Sequence, residues 1–421
     1  MPAAPWAPKR DCFVKREPMF ILQKLWCRAV QIAFRAALPI LPYRDPKIIA
    51  TADIGAVLAQ KKCRSVLIVT SKGSAKRGLL APTEAVLQEQ GIAVSVFDAT
   101  KPNPTTENVE AALAVYLEGA CEAIIAIGGG SVMDCAKAVG ARVAYPRRSL
   151  GRLSGVMRVL RPIPTLICIP TTAGTGSETT LAAVITDAKT QHKYAMMSFP
   201  LIPHYAVLDA GMTVSMPPHL TATTGMDALT HAVEAYIGRS TTAKTRRLAK
   251  EATALIFGNL ERAAQNGEDI KARENMLLAA YKAGVAFSMS YVGYVHAVAH
   301  SLGGKYDTPH GFANAVLLPV VLTGYGKSAH KKLYRLGVAA GVCTKGEAPS
   351  VGAAKFIAAV RDLNTRLGIG AVIGDLKKED IAQLARHAAH EANPLYPVPR
   401  LYTARELEAF YFAVLDPSEA P

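Results

Sequence analysis

Four short apolar runs mark the first half of the chain, at 65–71 (SVLIVTS), 93–99 (AVSVFDA), 123–127 (AIIAI) and 164–170 (PTLICIP). Between them, apolar positions recur at helical spacing, for example over 76–90 and 105–119. Short, largely apolar strands alternating with helices predict a parallel sheet covered on both faces. The pattern changes near Asp209. Beyond it strand signals become rare, and long stretches at 219–238, 242–264, 270–290 and 349–367 predict helices punctuated by Gly and Pro. Pro217 and Pro218 precede the first of these, so the join is expected within 205–217. The chain reads as an extension over 1–48, an α/β domain over 49–210 and an all-helical domain over 211–421.

The extension carries its own pattern. Over 19–42, Lys24, Arg28, Gln31 and Arg35 fall on one helical face, and Leu22, Leu25, Trp26, Ala29 and Ala33 on the other. This is a basic amphipathic helix, expected either to pack on the protein or a second subunit, or to lie on a membrane surface. Charges interrupt its apolar run, which fits a cleaved secretion signal poorly. No charge-free apolar stretch of about 18 residues predicts a membrane-spanning helix.

Bulk properties narrow the classes. A chain of 421 residues exceeds what one compact core usually holds, so two domains are expected. With 50% hydrophobic and 19% charged residues the composition is that of an ordinary globular protein, and long disorder is not expected. A net charge of +15 suits anionic ligands or surfaces. No basic run interleaved with aromatics accompanies it, so nucleic acid is not an expected partner. Cys12, Cys27, Cys63, Cys121, Cys135, Cys168 and Cys343 are scattered, odd in number and free of any CxxC pair. That argues against a disulfide scaffold or zinc ribbon, and for a reducing, cytoplasmic compartment.

Two glycine-containing turns are candidates for phosphate binding. GGGSVMD, Gly128 to Asp134, follows a strand and opens a helix. Glycines let the backbone approach a phosphate, and the helix N-terminus offers free N–H groups and partial positive charge. The bland alternative is a tight turn. The second, Pro170 to Glu178, gathers hydroxyls and glycines after the fourth strand, at the sheet edge where ligands of such folds bind. Within it Glu178 reads equally well as a capping-box partner of Thr175 for a following helix.

Asp227 and His231 are four apart, sharing one face of a predicted helix; His296 and His300 are again four apart, and His310 follows. Three imidazoles and a carboxylate suit iron(II) or zinc. Each histidine alone is more often a hydrogen-bonded core residue than a ligand, and Asp227 also reads as a helix cap.

Five stretches taken together resemble the iron-dependent (group III) alcohol dehydrogenases: PNPT (102–105), GGGSVMDCAKA (128–138), PTTAGTGSETT (170–180), TGMDALTHAVEAY (224–236) and HAVAHSLGGKYDTPHGFANAVLLP (296–319). The resemblance runs in order over roughly residues 50–421. It implies a Rossmann-like dinucleotide-binding domain followed by a dehydroquinate synthase-like helical domain, with a homodimer as the family's usual state. It implies metal ligands at Asp227, His231, His296 and His310, and His300 as a proton relay beside the nicotinamide. It sets the cofactor pyrophosphate near Gly129, Gly130 and Ser131, with Asn103, Thr171, Thr172, Thr175 and Lys193 around the cofactor. The metal would act on the oxygen of a small alcohol or aldehyde during hydride transfer.

The chain departs from that pattern in three places. Ser71, followed by Lys72, Lys76 and Arg77, stands where NAD-preferring members carry Asp, so NADP is expected to be accepted beside NAD. The N-terminal helix is additional. Lys305 brings a cation near the expected substrate position, where an aromatic residue is often found, which suits an anionic substrate. A hydroxyacid–oxoacid transhydrogenase with tightly held nicotinamide is therefore the nearest alternative activity. A non-catalytic protein on a membrane surface is the alternative from another class.

Overall fold

A computed structural model describes residues 18–188 and 193–419; Cys12 and the start of the extension lie outside them. The chain enters with α1 (Pro18–Ala37), β1 (Lys47–Ile49) and α2 (Ile54–Gln60). An alternating series follows: β2 (Ser65–Val69), α3 (Lys72–Lys76), α4 (Ala81–Glu89), β3 (Ala93–Phe97), α5 (Thr106–Glu118), β4 (Ala123–Gly128) and α6 (Gly130–Ala144). Then come α7 (Leu150–Leu153), β5 (Gly155–Val156), β6 (Thr165–Pro170), β7 (Ala182–Thr186), β8 (Lys193–Met197) and β9 (Tyr205–Val207).

Six strands form a parallel sheet in the order β1-β9-β6-β4-β2-β3. Every residue of β4 is buried, as are the last four of β2 and the last five of β6, which is why these strands read as uninterrupted apolar runs. Apolar clusters cover both faces, one around Val109, Val139 and Leu166, the other around Ile54, Leu87 and Ile125. From β2 the chain steps to β3 on one side, then crosses to β4 on the other. The reversal sits between β2 and β4, the position at which such sheets bind ligands at their carboxyl edge. A separate three-stranded sheet, β5-β8-β7, contains an antiparallel pair that the apolar pattern did not reveal.

Helices then take over: α8 (Pro218–Ile237), α9 (Ala243–Gln265), α10 (Ile270–Ser290), α11 (Tyr294–Tyr306), α12 (His310–Tyr325), α13 (His330–Ala339), α14 (Pro349–Arg366), α15 (Ile381–Ala392) and α16 (Ala404–Phe412). Pro218 at the head of α8 costs nothing, because its missing N–H has no partner in the first turn. By density of contacts the chain forms two compact units, one of Pro42–Ala232 with Arg247–Met289, the other of the segment through Leu41 with Val233–Arg246 and Ser290 onward. Among the described residues no helix is long and apolar enough to cross a membrane.

Helix α1 docks the wrong way round for an amphipathic helix. Burying the apolar stripe is the usual arrangement. Here Gln31 is buried, its Nε2 donating to the carbonyls of Pro394 (3.3 Å) and Tyr396 (2.8 Å). Arg28 donates to those of Val398 (2.8 Å) and Pro399 (3.2 Å). Ile21, Leu22, Leu25, Trp26 and Ile32 face outward, each 56–71% exposed. The cause is local: the proline-rich segment 394–399 (PLYPVP) offers carbonyls outside any helix or strand, and the polar face of α1 supplies their donors.

Candidate active site

At the carboxyl edge of the sheet, the loops after β2, β4 and β6 lie side by side because their strands are neighbours. Gly129 is the N-cap residue of α6, and Gly130 and Ser131 form its first turn. Their amides are free of intrahelical partners, which is what an anion needs. The loop after β6 closes over them. A Cβ on Gly130 would lie 3.1 Å from the Thr175 side chain, and one on Gly129 would lie 3.4 Å from that of Thr172. Thr171 N–H bonds the carbonyl of Gly128 at 3.0 Å. Gly129, Gly130, Ser131, Thr171, Thr172 and Thr175 are thus brought together.

A buried polar cluster clamps this loop onto α6. Lys137 Nζ donates to Ser177 Oγ (3.0 Å), Thr180 Oγ1 (2.8 Å) and the carbonyl of Ala182 (2.8 Å). Ser177 Oγ in turn donates to Asp134 Oδ1 at 2.9 Å. Burial pushes the Asp134 carboxyl up and the Lys137 ammonium down, each partly offset by the other's charge. Gly174 touches α8: a Cβ there would stand 2.5 Å from both the side chain and the carbonyl oxygen of Thr224.

The remaining cofactor candidates sit on neighbouring loops. Ser71 caps α3, its Oγ accepting from Ser74 N–H at 3.2 Å, with Lys72, Lys76 and Arg77 exposed around it. Asn103 takes a left-handed conformation (φ 53°). The next carbonyl, of Pro104, accepts from Thr186 N–H at 2.9 Å, and Thr186 pairs in register with Lys193.

Helix α8 carries Asp227, His231 and Glu234 on one face; α11 carries His296 and His300; His310 opens α12. One ligand atom each from Asp227, His231, His296 and His310 lies within 4.8 Å of the others. Three of these residues are buried and His310 is exposed. Three nitrogens and one carboxylate oxygen gathered this closely fit a divalent iron or zinc ion.

Each imidazole is held by something specific. Glu234 Oε2 lies 2.7 Å from His296 Nδ1, and the same carboxylate accepts from Gly293 N–H (2.7 Å) and Val295 N–H (2.8 Å). Gly293 permits the approach, because a Cβ would lie 2.6 Å from Glu234 Oε1. Burial raises Glu234 to about 7 against the pull of those N–H donors. His231 stacks on Phe287 at 4.0 Å and 12°, and His310 Nε2 lies 3.0 Å from Asn314 Nδ2. His300 Nδ1 lies 2.6 Å from Glu391 Oε1, which also accepts from Tyr396 Oη at 2.6 Å. Burial would raise Glu391, but His300 and Tyr396 hold it below the usual carboxylate range. The His300 and His310 rings stack with centroids 5.3 Å apart.

Comparison with known proteins fixes the family. Residues 48–210 match the iron-containing alcohol dehydrogenases and residues 221–415 the C-terminal part of the Fe-containing alcohol dehydrogenase family. The 1,3-propanediol dehydrogenase of Klebsiella pneumoniae is 38% identical over 352 residues, 83% of this chain and 90% of that protein. The chain belongs to the iron-containing alcohol dehydrogenase family. A solved 1,3-propanediol oxidoreductase superposes with a TM-score of 0.85 at 35% identity, covering 89% of this chain and 98% of that one. Sulfoacetaldehyde reductase from Bifidobacterium kashiwanohense, solved in complex with NAD+, superposes at 0.79 with 28% identity, covering 89% and 98%. The chain is thus an oxidoreductase with metal-dependent, nicotinamide-linked alcohol dehydrogenase and aldehyde reductase chemistry. Iron and NAD(H) are the metal and cofactor that membership supports.

Two details of this iron-containing alcohol dehydrogenase depart from the sequence reading. Lys305 is not a free cation, since its Nζ pairs with Asp380 Oδ1 at 3.2 Å, and the adjacent Tyr306 Oη donates to Asp380 at 2.6 Å. Glu178 caps no α-helix. A 3-10 turn, Ser177–Thr179, follows instead, and Thr175 Oγ1 accepts from Ser177 N–H at 3.3 Å. Gly176 has φ 61°, a left-handed conformation that interrupts a helix, and a Cβ there would lie 2.8 Å from Gly284 Cα on α10. Glu178 is buried, which raises it to about 7. Glu234, Glu391, Tyr396 and Phe287 were missed from sequence. Glu234 was within reach, lying seven positions after Asp227 on the same helical face.

Proposed function

We propose that this enzyme interconverts a small, neutral aldehyde and its alcohol, accepting NADP(H) beside NAD(H). The observation that carries the reading is the convergence of Asp227, His231, His296 and His310 within 4.8 Å. These residues would hold iron(II), or zinc, which supplies a Lewis acid for the substrate oxygen. Asp227 contributes the cluster's one anionic ligand. Glu234, on Nδ1 of His296, fixes that ring's tautomer and leaves Nε2 as the ligand atom. His300, tied through Nδ1 to Glu391, keeps Nε2 to pass a proton to or from the substrate oxygen.

On the cofactor side, the amides of Gly129, Gly130 and Ser131 would bind the pyrophosphate at the head of α6. Asn103, Thr171, Thr172, Thr175 and Lys193 would flank the cofactor. The division between cofactor-binding and metal-binding halves falls near residue 210. Ser71 with Lys72, Lys76 and Arg77 supports NADP(H), because no carboxylate there repels a 2′-phosphate. The pairing of Lys305 with Asp380 removes the cation that favoured an anionic substrate, hence the neutral aldehyde.

The test is anaerobic purification, removal and restoration of the metal, and nicotinamide absorbance with a panel of aldehydes and both cofactors. Activity lost on stripping and regained with iron(II) or zinc is expected. Turnover of a hydroxyacid–oxoacid pair without free nicotinamide would replace this reading with the transhydrogenase.

The outward apolar face of α1 supports a homodimer in which a second copy covers it, and free thiols among the described residues support a reducing, cytoplasmic setting. Light scattering of the full chain and of Leu25→Glu/Trp26→Glu should show dimer and monomer respectively. Flotation of the full chain with vesicles, lost in the same variant, would assign that face to a membrane instead.

A further inference from the structure

A second charged cluster lies at the far end of α8. Arg35 of α1, Arg239 just past α8, Arg246 of α9, and Lys332 and Arg335 of α13 line one pocket of about 620 Å³. No carboxylate lines it, and among the described residues none pairs with any of these five cations. Three of them already have partners, Arg335 through a hydrogen bond with the Tyr236 side chain. Lys332 Nζ donates to the carbonyls of Ile237 (3.0 Å) and Gly238. Arg246 Nη1 donates to Thr241 Oγ1 at 3.0 Å and to its carbonyl at 3.3 Å. Arg35, Arg239 and Arg335 are exposed at the mouth.

Capping the negative end of α8 accounts for one cation, and Lys332 does that. It does not account for four guanidiniums around the same space. Burial, then the charges of Arg246, Arg239, Arg35 and Arg335, pull the Lys332 ammonium down to about 8, so the positive potential here is uncompensated. Like charges repel, and a pocket that gathers five of them is completed by an anion. Guanidiniums present paired N–H donors that match phosphate oxygens. The volume falls within the roughly 300–1,000 Å³ typical of small-molecule sites.

We propose that this pocket binds a multiply charged phosphate group. Two sources carry that chemistry: a soluble phosphate ester or diphosphate, and the headgroup of an anionic phospholipid. The second has support in α1, which supplies Arg35 and whose apolar face is exposed. The site is separate from the strand-end loops and from the metal ligands, and it does not depend on the proposed reaction.

The test uses full-length enzyme saturated with iron and nicotinamide, so that the glycine loops are filled, and titrates inorganic pyrophosphate by calorimetry. One-to-one binding is expected. Arg35→Gln should weaken it about tenfold, and R239Q/R335Q about a hundredfold, at roughly tenfold per lost charged hydrogen bond. Aldehyde turnover should be unchanged in both. Binding should also weaken as pH rises through 8, because Lys332 loses its proton while Arg35, Arg239, Arg246 and Arg335 keep theirs. In parallel, flotation with phosphatidylglycerol and phosphatidylcholine vesicles separates the sources. Retention by phosphatidylglycerol alone, lost in R239Q/R335Q, assigns the pocket to lipid; pyrophosphate binding without retention assigns it to a soluble phosphate. Failure of both probes overturns the proposal, and so does binding that R239Q/R335Q leaves intact.

Discussion

The strand-end loops and the cluster of Asp227, His231, His296 and His310 are built of opposite materials. At the loops the contact surface is backbone: Gly129 and Gly130 leave amides bare at the head of α6, with Thr172 and Thr175 packed where side chains would otherwise stand. Asp134 and Lys137 are buried behind the loop, where both bond the Ser177 hydroxyl. In the metal cluster the contact surface is all side chain. Four residues on three helices converge, and Glu234, Phe287 and Asn314 hold three of the imidazoles. A backbone site is therefore damaged by adding atoms, whereas a side-chain site is damaged by removing them.

The largest effect expected from that contrast is at the cluster. Asp227→Ala deletes its only carboxylate ligand and leaves three neutral imidazoles. Metal content should fall well below one per chain and kcat by at least about a thousandfold, with the far-ultraviolet circular dichroism unchanged. Elemental analysis beside steady-state rates checks this. A variant with full metal and near-normal turnover would remove Asp227 from the site.

Glu234→Gln is the finer cut. It preserves shape but replaces a carboxylate that meets two backbone amides and His296. Metal affinity should drop about 10–100-fold, measured by chelator competition, and activity should return at high iron(II). Irreversible loss, with the metal still bound, would mean that Glu234 does more than orient His296.

At the loops the informative change adds one carbon. Gly174→Ala sets a Cβ 2.5 Å from the side chain and carbonyl of Thr224, one turn before Asp227 on α8. Overpacking of that kind costs about 1–3 kcal/mol, so the melting temperature should fall and KM for the nicotinamide should rise. Gly258→Ala is the control: it lies inside α9 with nothing within 4 Å of its Cβ, and should gain about 0.5–1 kcal/mol. Equal responses at the two glycines would dismiss the idea that the loop is sensitive to bulk.

The same contrast explains what was legible in the chain. Strands β2, β4 and β6 are buried on both faces and so read as apolar runs, with the glycine turns directly after β4 and β6. β1 and β9 have three residues each, and β8 opens on exposed Lys193 followed by two consecutive half-buried residues, so no period betrays them. Asp227 and His231 shared helical spacing, i to i+4, as did His296 and His300, and all of them lay in recognisable motifs. Their supports did not: Glu391 is 91 residues from His300, and a glutamate on a helix is ordinary until the fold sets it against an imidazole. For α1 the wheel revealed two faces but not which one meets the protein. That was decided by the donors that segment 394–399 needed.

The smallest expected effect tests the side chain that follows β2, Ser71. Ser71 has two duties that can be separated. Its Oγ caps α3, accepting from Ser74 N–H at 3.2 Å, and its neutrality leaves the cations of Lys72, Lys76 and Arg77 unopposed. Asp is as good an N-cap as Ser, so Ser71→Asp keeps the helix start and changes only the charge. The ratio of kcat/KM for NADP to that for NAD should fall about tenfold or more, because a carboxylate there repels a 2′-phosphate and bonds the free ribose hydroxyl. Stability should move by no more than a few tenths of a kcal/mol. An unchanged ratio would mean that the loop after β2 does not meet the adenosine ribose. A strong preference of the unaltered enzyme for NAD would mean that it meets the ribose but that neutrality at residue 71 is not enough to admit the phosphate.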